Sequence, residues 1–286
     1  MAAEGEADRS PGAGSTLGIV AGGGELPSRL VQLCREKGRG VFVVALEGQT
    51  EAAAVNDVDH VWVRLGDASK AIEPLRTAGV EELVLAGAIK RPSLAELRPN
   101  LRVASFLAKV GKRAFGDDGL LSAIIGTLEE EEGFRVIGID ELVGDLVATA
   151  GPFGRHRPDR QAEGDIERGV EVARAIGAMD VGQSAVVQQG LVLGVEAAEG
   201  TDALLARCAG LRRDGPGGVL VKVKKPGQER RADLPTIGIE TVRAAAAAGL
   251  RGIAVEAGGA LVVDRAEVIR AADEAGLFVI GVETGP

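Results

Sequence analysis

The residues best suited to chemistry lie between Lys222 and Thr241, in the stretch K-V-K-K-P-G-Q-E-R-R-A-D-L-P-T-I-G-I-E-T. Although the net charge of the chain is -9, the ten residues 222–231 include five cations: Lys222, Lys224, Lys225, Arg230 and Arg231. Leu234-Pro235-Thr236 is typical of a helix start, because proline fits the first helical turn. Asp233 would then lie near a helix N-terminus, where backbone amides favour negative charge. The combination suits a phosphate-bearing ligand, but also a basic surface loop with a capping aspartate.

A second group of acids follows a run of apolar residues. The segment Glu196–Asp202, E-A-A-E-G-T-D, places three carboxylates within seven residues and leads into a predicted helix that contains Cys208. Glu196 or Asp202 could take part in chemistry at the end of a strand. Alternatively, Thr201 or Asp202 caps the helix in the ordinary way.

Near the N-terminus, a glycine loop joins a predicted strand to a predicted helix. The strand is Leu17–Ala21, the loop is Gly22-Gly23-Gly24, and Glu25-Leu26-Pro27 opens a helix to about Lys37. This arrangement lets backbone amides approach a phosphate. The glycine motif of dinucleotide sites requires a glycine at position 27, where this chain has proline. The Lys-Ser/Thr pair of a P-loop does not follow either. We therefore predict a ligand-binding turn, with a plain tight turn as the alternative and no nicotinamide cofactor.

Two further loops carry charged candidates. Lys90 and Arg91 follow the predicted strand Leu83–Ala86 and suit either phosphate contact or a solvated loop. Beyond an amphipathic helix predicted over 101–110, Asp117 and Asp118 precede a helix predicted over 120–132. Two acids at a helix start suit caps, or contacts to ribose or a metal ion.

A repeated unit defines the fold class: a helix ends in glycine and a short apolar strand follows. The strands are predicted at 41–44, 83–86, 134–137, 252–255 and 277–280, after Gly38, Gly79, Gly133, Gly249 and Gly276. Glycine ends helices in the left-handed conformation, and continuous apolar runs fit strands buried on both faces of a parallel sheet. The pattern predicts a doubly wound α/β fold, which binds ligands beyond the carboxyl ends of its strands.

The repeated unit of helix, glycine and strand is interrupted around residues 139–150, and the chain length suits two domains. We predict a frayed tail over 1–14, a first domain over 15–140 with a mostly parallel, Rossmann-like sheet, and a mixed α/β domain over 141–286. In the second domain a helix is predicted at about 161–176. The apolar runs 185–188 and 191–196 flank Gln189-Gly190 and predict a hairpin or two adjacent strands.

Composition argues against several classes of function. A pI near 5.0 disfavours a nucleic-acid partner, and 2% aromatic residues without tyrosine remove the usual stacking platforms. No apolar run approaches the roughly 20 residues that cross a bilayer, and the acidic start lacks the apolar core of a signal peptide. Cys34 and Cys208 suit buried thiols in a reducing compartment. A cytoplasmic protein is expected.

The count of two histidines, His60 and His156, also restricts the chemistry. A two-zinc phosphoesterase needs several histidine ligands, which this chain lacks. The G-x-S-x-G motif of α/β-hydrolases is missing as well. A participating metal would therefore be Mg²⁺ or Mn²⁺, held by oxygen ligands and shared with substrate phosphates.

Five blocks in order resemble a known family: Leu17–Pro27 (L-G-I-V-A-G-G-G-E-L-P), Ala86–Pro92 (A-G-A-I-K-R-P), Gly182–Val187 (G-Q-S-A-V-V), Glu196–Leu205 (E-A-A-E-G-T-D-A-L-L) and Lys224–Gly238. Together they resemble the UDP-2,3-diacylglucosamine pyrophosphatases of the LpxI type, enzymes of bacterial lipid A synthesis. The resemblance implies a UDP-binding N-terminal domain and a C-terminal hydrolase domain in a metal-dependent enzyme, usually a homodimer. Such an enzyme cleaves its diphosphate to UMP and 2,3-diacylglucosamine 1-phosphate (lipid X).

The site residues follow from the matching blocks and from the basic run. The family's key acid falls on Asp233, which we expect to be catalytic and, with Glu196 and Asp202, to bind metal. Substrate binding is expected from Gly22, Gly23, Gly24, Arg91, Asp117, Gln183, Thr201, Lys224, Lys225 and Thr236. This chain has Ser184 where the family is expected to have glycine, and Glu229 in place of its usual aspartate.

The expected mechanism joins these parts. The glycine loop would hold the nucleotide, the basic run would neutralise the diphosphate, and Asp233 with Mg²⁺ would position a metal ion or activate water. The acyl chains need an apolar groove that the sequence does not locate, and peripheral contact with the inner membrane is expected. A sugar-phosphate transferase and a non-catalytic sugar-nucleotide sensor remain as alternatives.

Overall fold

The computed structural model describes residues 15–89, 117–231 and 233–285. The chain divides into two units: residues 15–89 and 123–142 form the first, and residues 117–122 and 143–285 form the second. The predicted tail over 1–14, the candidate Arg91 and the helix predicted over 101–110 lie outside the described residues.

The first unit contains a parallel sheet. Its elements are β1 (Thr16–Ala21), α1 (Leu26–Glu36), β2 (Val41–Leu46), β3 (Asp59–Val63), α2 (Ile72–Thr77), β4 (Val80–Ala86), part of α3 (Asp117–Glu130), β5 (Arg135–Val136) and α4 (Ile139–Leu142). Short 3₁₀ turns lie at Ala52–Ala54 and Leu65–Ala71. All five strands are parallel, in the order β3-β2-β1-β4-β5. The chain order reverses at β1, so the carboxyl ends of β1 and β4 lie side by side.

The second unit contains a mixed sheet. Its elements are β6 (Gly151–Pro152), α5 (Arg160–Ala178), β7 (Ser184–Gln188), β8 (Leu191–Val195), α6 (Gly200–Ala209), β9 (Val219–Lys222), β10 (Thr236–Ile237), α7 (Ile239–Ala247), β11 (Gly252–Glu256), β12 (Leu261–Val262), α8 (Arg265–Ala275) and β13 (Phe278–Val282), with a 3₁₀ turn at Gly144–Leu146. The order is β6-β13-β11-β9-β7-β8. Strands β9, β11 and β13 are parallel, whereas β6 and β7 run antiparallel to their neighbours.

Helices cover both faces of the mixed sheet. Neighbouring residues of a strand point to opposite faces, so they pack against different helices. Leu220 of β9 and Ile253 of β11 pack in one buried cluster with residues of α6, α7 and α8. Val221 and Ala254, one position further along, pack in a second cluster with residues of α5. Burial on both faces explains why these strands have continuous apolar sequences.

The predicted hairpin of the second unit is confirmed. Strands β7 and β8 are antiparallel, and both residues of the turn, Gln189 and Gly190, have positive φ angles of 53° and 75°. The buried carboxylate of Asp165 accepts hydrogen bonds from both turn amides, at 3.1 Å and 2.7 Å. This carboxylate therefore fixes the turn from within α5.

One predicted helix start is wrong. Leu234-Pro235-Thr236 does not open a helix, because Thr236 and Ile237 form β10 and pair in parallel with β12. The helix α7 begins only at Ile239, so Asp233 does not lie at its N-terminus. The helix predicted over 120–132 also begins earlier, at Asp117, and ends at Glu130.

No helix in the described ranges is both long and apolar enough to cross a membrane.

Candidate functional site

The carboxyl edge of the mixed sheet gathers most of the predicted site residues of the second unit. Lys222 ends β9, Glu196 directly follows β8, and Glu256 ends β11. Because β7 runs antiparallel to both β8 and β9, Gln183 lies at the same edge, just before β7. The sheet therefore brings together residues that are up to 73 positions apart in sequence (183 to 256).

A polar cluster forms at this edge; it consists of Glu196, Thr201, Lys222, Gln228 and Asp233. The Nζ atom of Lys222 donates to Thr201 Oγ1 at 2.9 Å, and Thr201 Oγ1 donates to Glu196 Oε1 at 2.8 Å. Lys222 Nζ also donates to the carbonyl oxygen of Thr236 at 3.2 Å. One ammonium group thus connects the first turn of α6 with the segment that follows Asp233.

Gln183 extends the network from Glu196 to Gln228. Its backbone amide donates to Glu196 Oε2 at 3.3 Å, and its side-chain Oε1 accepts from Gln228 Nε2 at 3.4 Å. Both carboxylate oxygens of Glu196 are therefore hydrogen-bonded inside the protein. Since Glu196 is only 7% exposed, its role in the structure is to organise the cluster.

Asp233 differs from Glu196 in its exposure and in its spare oxygen. Gln228 Nε2 donates to Asp233 Oδ2 at 2.6 Å, while the backbone amide of Lys225 donates to Gln228 Oε1 at 2.9 Å and fixes the amide group. Asp233 is half-buried, and its Oδ1 is bonded by no group that the structure describes. A carboxylate held by one oxygen and open at the other is suited to act on a ligand.

Lys222 carries a buried ammonium group on which three carboxylates act electrostatically. It is 7% exposed, and burial lowers the pKa of its ammonium group below the ordinary lysine value. The carboxylates of Glu196, Asp233 and Asp202 oppose that shift, in this order of strength. Burying a charge is costly unless hydrogen bonds and opposite charges compensate it, and Lys222 has two hydrogen bonds and the attraction of these carboxylates.

The other cations of the basic run are also bonded within the second unit. Lys225 Nζ lies 2.7 Å from Asp180 Oδ1, and Lys224 Nζ lies 3.6 Å from Glu256 Oε1. Arg230 Nη2 donates to the carbonyl oxygen of Gly258 at 3.1 Å. These cations are therefore engaged by carboxylates or a carbonyl group of the second unit, and Lys224 has the longest of these contacts and a third of its side chain exposed.

Arg231 completes this set through Glu229. The guanidinium donates to both carboxylate oxygens, at 3.0 Å and 3.1 Å. The hydrogen bond from Arg231 holds the pKa of the Glu229 carboxyl below its usual value. The Glu229 side chain therefore serves as a partner for an arginine two residues away.

The three predicted metal ligands do not come together as a metal site. Among the described residues, no group of three or more His, Cys, Asp or Glu side chains is placed to hold a metal ion. Asp202 is exposed on the first turn of α6, and Glu196 is buried with both oxygens in use. Of the three, Asp233 has one carboxylate oxygen fixed by a neighbouring side chain and the other bonded by no described group.

Several residues of the site were missed by the sequence analysis. Lys222 was counted only as part of the basic run, and neither Gln228 nor Glu256 was noticed. Glu256 ends the buried strand G-I-A-V-E, and an acid at the carboxyl end of an apolar strand was a usable signal. Ser184 lies opposite Lys222 in the β7–β9 pair, and its buried hydroxyl has no partner within the described residues.

In the first unit, the carboxyl ends of β1 and β4 meet in a glycine junction, which consists of Gly22, Gly23, Gly24, Gly87 and Ala88. The Gly22 amide donates to the carbonyl oxygen of Ala86 at 2.7 Å. Gly23 and Ala88 exchange two hydrogen bonds, at 2.8 Å and 3.0 Å. A Cβ atom on Gly22 would lie 2.6 Å from the Ala88 carbonyl oxygen, so glycine permits this close approach.

This pairing changes the role of two predicted phosphate ligands. The amides of Gly22 and Gly23 already donate to carbonyl groups, so these two amides are engaged within the unit, and a contact of either glycine with the substrate stays a prediction. Gly24 takes no part in the pairing and has a φ angle of 88° with open space beside its Cα. It directly precedes Glu25, the N-cap of α1, whose first amides have no partner within the helix.

Three further predicted substrate contacts have different outcomes. Asp117 is the first residue of α3, although its side chain is not among those that the structure describes. The Thr236 hydroxyl donates to the carbonyl oxygen of Leu234 at 3.0 Å, and its own carbonyl accepts from Lys222. Arg91 lies beyond the described residues, so its predicted contact stays a prediction.

Comparison with known proteins gives a consistent picture along the whole chain. Residues 16–146 match the family of LpxI N-terminal domains, and residues 149–280 match the family of LpxI C-terminal domains. The chain is 42% identical over 274 residues to the UDP-2,3-diacylglucosamine pyrophosphatase LpxI of Caulobacter vibrioides, covering 93% of this chain and 97% of that protein.

Among solved structures, the glycinamide-RNase-transformylase T of Mycobacterium tuberculosis is similar at 15% identity, with a TM-score of 0.23 over 64% of this chain and 43% of that chain. A score this low supports no statement about fold or function. The two domain matches and the Caulobacter relative, in contrast, cover nearly every residue from Thr16 onwards. This chain belongs to the LpxI family.

Proposed function

We propose that this protein hydrolyses the diphosphate of UDP-2,3-diacylglucosamine to UMP and 2,3-diacylglucosamine 1-phosphate (lipid X), a step of lipid A biosynthesis. The Caulobacter vibrioides relative is named for this pyrophosphatase activity and matches both domains. The observation that carries the proposal in the structure is Asp233. Its carboxylate is fixed at one oxygen by Gln228 and open at the other, beside a buried ammonium.

We assign nucleotide binding to residues 15–140 and hydrolysis to residues 141–286. The strand order 3-2-1-4-5 of the first sheet supports a Rossmann-like domain, in which ligands bind where the chain order reverses. In this unit the reversal lies at the glycine junction. Gly24 and the first turn of α1 then contact nucleotide phosphates, and Gly22 and Gly23 hold the two strand-end loops together.

In the second domain, Asp233 is the proposed catalytic residue and activates the attacking water as a general base. A general base must lie within hydrogen-bond reach of the water proton, and only the unbonded Oδ1 atom offers that position. Gln183, Thr201, Lys224, Lys225 and Thr236 are the proposed substrate-binding residues of this domain. Charge that develops on the phosphoryl oxygens is stabilised by fixed donors, which is the dominant contribution in phosphoryl transfer.

Mg²⁺ remains the proposed cofactor, with Mn²⁺ as a substitute. The donor set of the polar cluster does not fit a metal site built by the protein alone, since Glu196 has both oxygens bonded and Asp202 is exposed. Mg²⁺ commonly keeps waters and uses one or two carboxylates with substrate phosphates. Activity should therefore stop on exhaustive chelation with EDTA and return with Mg²⁺ or Mn²⁺, but poorly with Zn²⁺. Full activity after chelation would reject metal dependence.

A cytoplasmic location, peripheral contact with the inner membrane and a homodimer are also proposed, on the family resemblance alone. Flotation with lipid vesicles tests the membrane contact, and analytical ultracentrifugation tests the dimer. A protein that stays monomeric at all concentrations and never floats would remove both proposals without affecting the proposed reaction.

Incubation of the purified protein with UDP-2,3-diacylglucosamine tests the reaction itself. We expect UMP and lipid X in equal amounts with no acceptor added. Turnover only after addition of an alcohol acceptor would instead indicate a sugar-phosphate transferase. Binding of the sugar nucleotide without any release of UMP would indicate a sensor.

A further inference from the structure

The acids that the sequence suggested as metal ligands all attract one buried lysine. Glu196, Asp202 and Asp233 all act electrostatically on the Lys222 ammonium, which is buried at the end of β9. A metal ion at this place would have to share the same carboxylates with a positive charge. Two cations that compete for one set of carboxylates repel each other, most strongly where water is excluded.

The hydrogen bonds of Lys222 show what the ammonium does there. It donates to the Thr201 hydroxyl, and that hydroxyl can then donate only towards Glu196. It also donates to the carbonyl of Thr236, three residues after Asp233. The lysine therefore sets the direction of a hydroxyl and anchors the segment that carries the proposed catalytic acid.

We propose that Lys222 is the resident cation of the polar cluster, a positioning residue that takes the place of a protein-bound metal ion. Divalent cations then reach the site only with the diphosphate of the substrate, because the described part of the chain places no group of three or more His, Cys, Asp or Glu side chains to hold them. This inference rests on the proposed function for its kinetic consequences. Its consequence for metal binding is independent of that function.

Mn²⁺ binding measured by electron paramagnetic resonance on the full chain tests the metal-binding consequence. The wild-type protein without nucleotide should leave Mn²⁺ free at micromolar protein concentrations, and UDP added with the protein should produce bound Mn²⁺ beyond what UDP binds alone. Lys222→Met removes the competing charge, so it should bind Mn²⁺ at least tenfold more tightly than the wild type. Tight Mn²⁺ binding by the wild type alone would overturn the inference, whatever the enzyme catalyses.

Release of UMP tests the positioning role. Lys222→Met should lower kcat about a hundredfold with KM changed less than threefold, and Lys222→Arg should recover most of the loss. Asp165→Asn is the matched control, because it alters a buried charge at the opposite end of the same strands, at the β7–β8 turn. It should lower stability but leave kcat unchanged in the folded protein.

Two outcomes would contradict the role of Lys222 while leaving the proposed reaction intact. One is a Lys222→Met protein that folds and turns over at the wild-type rate. The other is a loss of kcat in Lys222→Met that is no larger than in Asp165→Asn. A wild-type protein that releases no UMP would reject the proposed function, and the Mn²⁺ experiment would still decide the metal-binding consequence.

Discussion

The glycine junction of the first unit and the polar cluster of the second occupy the same position in their sheets, but they are built from different atoms. The junction uses backbone amides, carbonyls and glycines that allow two loops to touch. The cluster uses charged and polar side chains that bond one another over the ends of β8 and β9. A backbone site holds its shape and charge at every pH, whereas a side-chain site can be changed one group at a time.

This difference separates what mutations can do to each region. A glycine of the junction can be changed only by adding atoms, so the expected damage is steric and reaches the fold. A carboxylate of the cluster can lose its charge with almost no change in volume, so the expected damage is chemical. The following predictions test that separation, from the largest expected effect to the smallest.

Asp233→Asn should have the largest effect, a loss of about 10²- to 10⁴-fold in kcat. The substitution keeps the shape of the side chain and its contact with Gln228, but it removes the negative charge that accepts a proton. Thermal unfolding should occur close to the wild-type temperature. Steady-state release of UMP gives kcat, and Asp214→Asn, an exposed acid outside the cluster, is the control.

If Asp233→Asn retained more than half of the wild-type kcat, Asp233 would not be the catalytic acid. A large loss of stability in the same protein would instead show that the carboxylate supports the fold, as a helix cap does. The structure disfavours this second outcome, because α7 begins six residues after Asp233.

Gly22→Val should mainly affect the fold of the first unit. Its Cβ would lie 2.6 Å from the carbonyl oxygen of Ala88 and 2.8 Å from the backbone of Gly87, and neither can move without opening the junction. We expect a loss of about 1–3 kcal/mol in the free energy of unfolding. Urea unfolding measures it, and Gly126→Val in α3, where a Cβ meets open space, is the control.

An unchanged unfolding free energy in Gly22→Val would mean that the two strand-end loops are not held together as described. Equal losses in Gly22→Val and Gly126→Val would attribute the effect to valine itself and not to the junction.

The sequence predicted the parts of the molecule in which local pattern and structure agree. Leu17–Ala21, the β7–β8 hairpin and the glycine-terminated helices are confirmed, because burial on both faces and positive φ angles leave clear local signals. Gly276, for example, ends α8 with a φ angle of 72°. The short strand β10 was mistaken for a helix start because proline and threonine suit both.

The partners of the site residues could not be predicted, because they depend on pairing between distant strands. Nothing near Lys222 in sequence shows that Thr201 and Glu196 lie beside it, since β7 brings them there through two antiparallel pairings. The same holds for the amides of Gly22 and Gly23, whose acceptors are Ala86 at the end of β4 and Ala88 in the loop after it. The sequence therefore predicted which types of residue form the two regions, but not which of their polar groups are available to bind a ligand.

Asp165→Asn should affect stability alone. Its buried carboxylate accepts two backbone amides at the β7–β8 turn, and an amide group can satisfy only one of them. We expect a loss of about 1–3 kcal/mol in the free energy of unfolding. A change in kcat under conditions where the variant is fully folded would show that the turn and the polar cluster are coupled.

Calorimetric titration of UMP into two variants of the full chain, Asp233→Asn and Gly24→Ala, tests the division of labour most directly. Gly24→Ala puts a Cβ into the open space where a phosphate would approach, and Gly79→Ala is the matched control, with a φ angle of 68° and open space at the other end of the sheet. We expect UMP affinity to be unchanged in Asp233→Asn and Gly79→Ala and about tenfold weaker in Gly24→Ala, a difference of about 1.4 kcal/mol. Wild-type affinity in Gly24→Ala together with weakened binding in Asp233→Asn would contradict the assignment of nucleotide binding to the first domain.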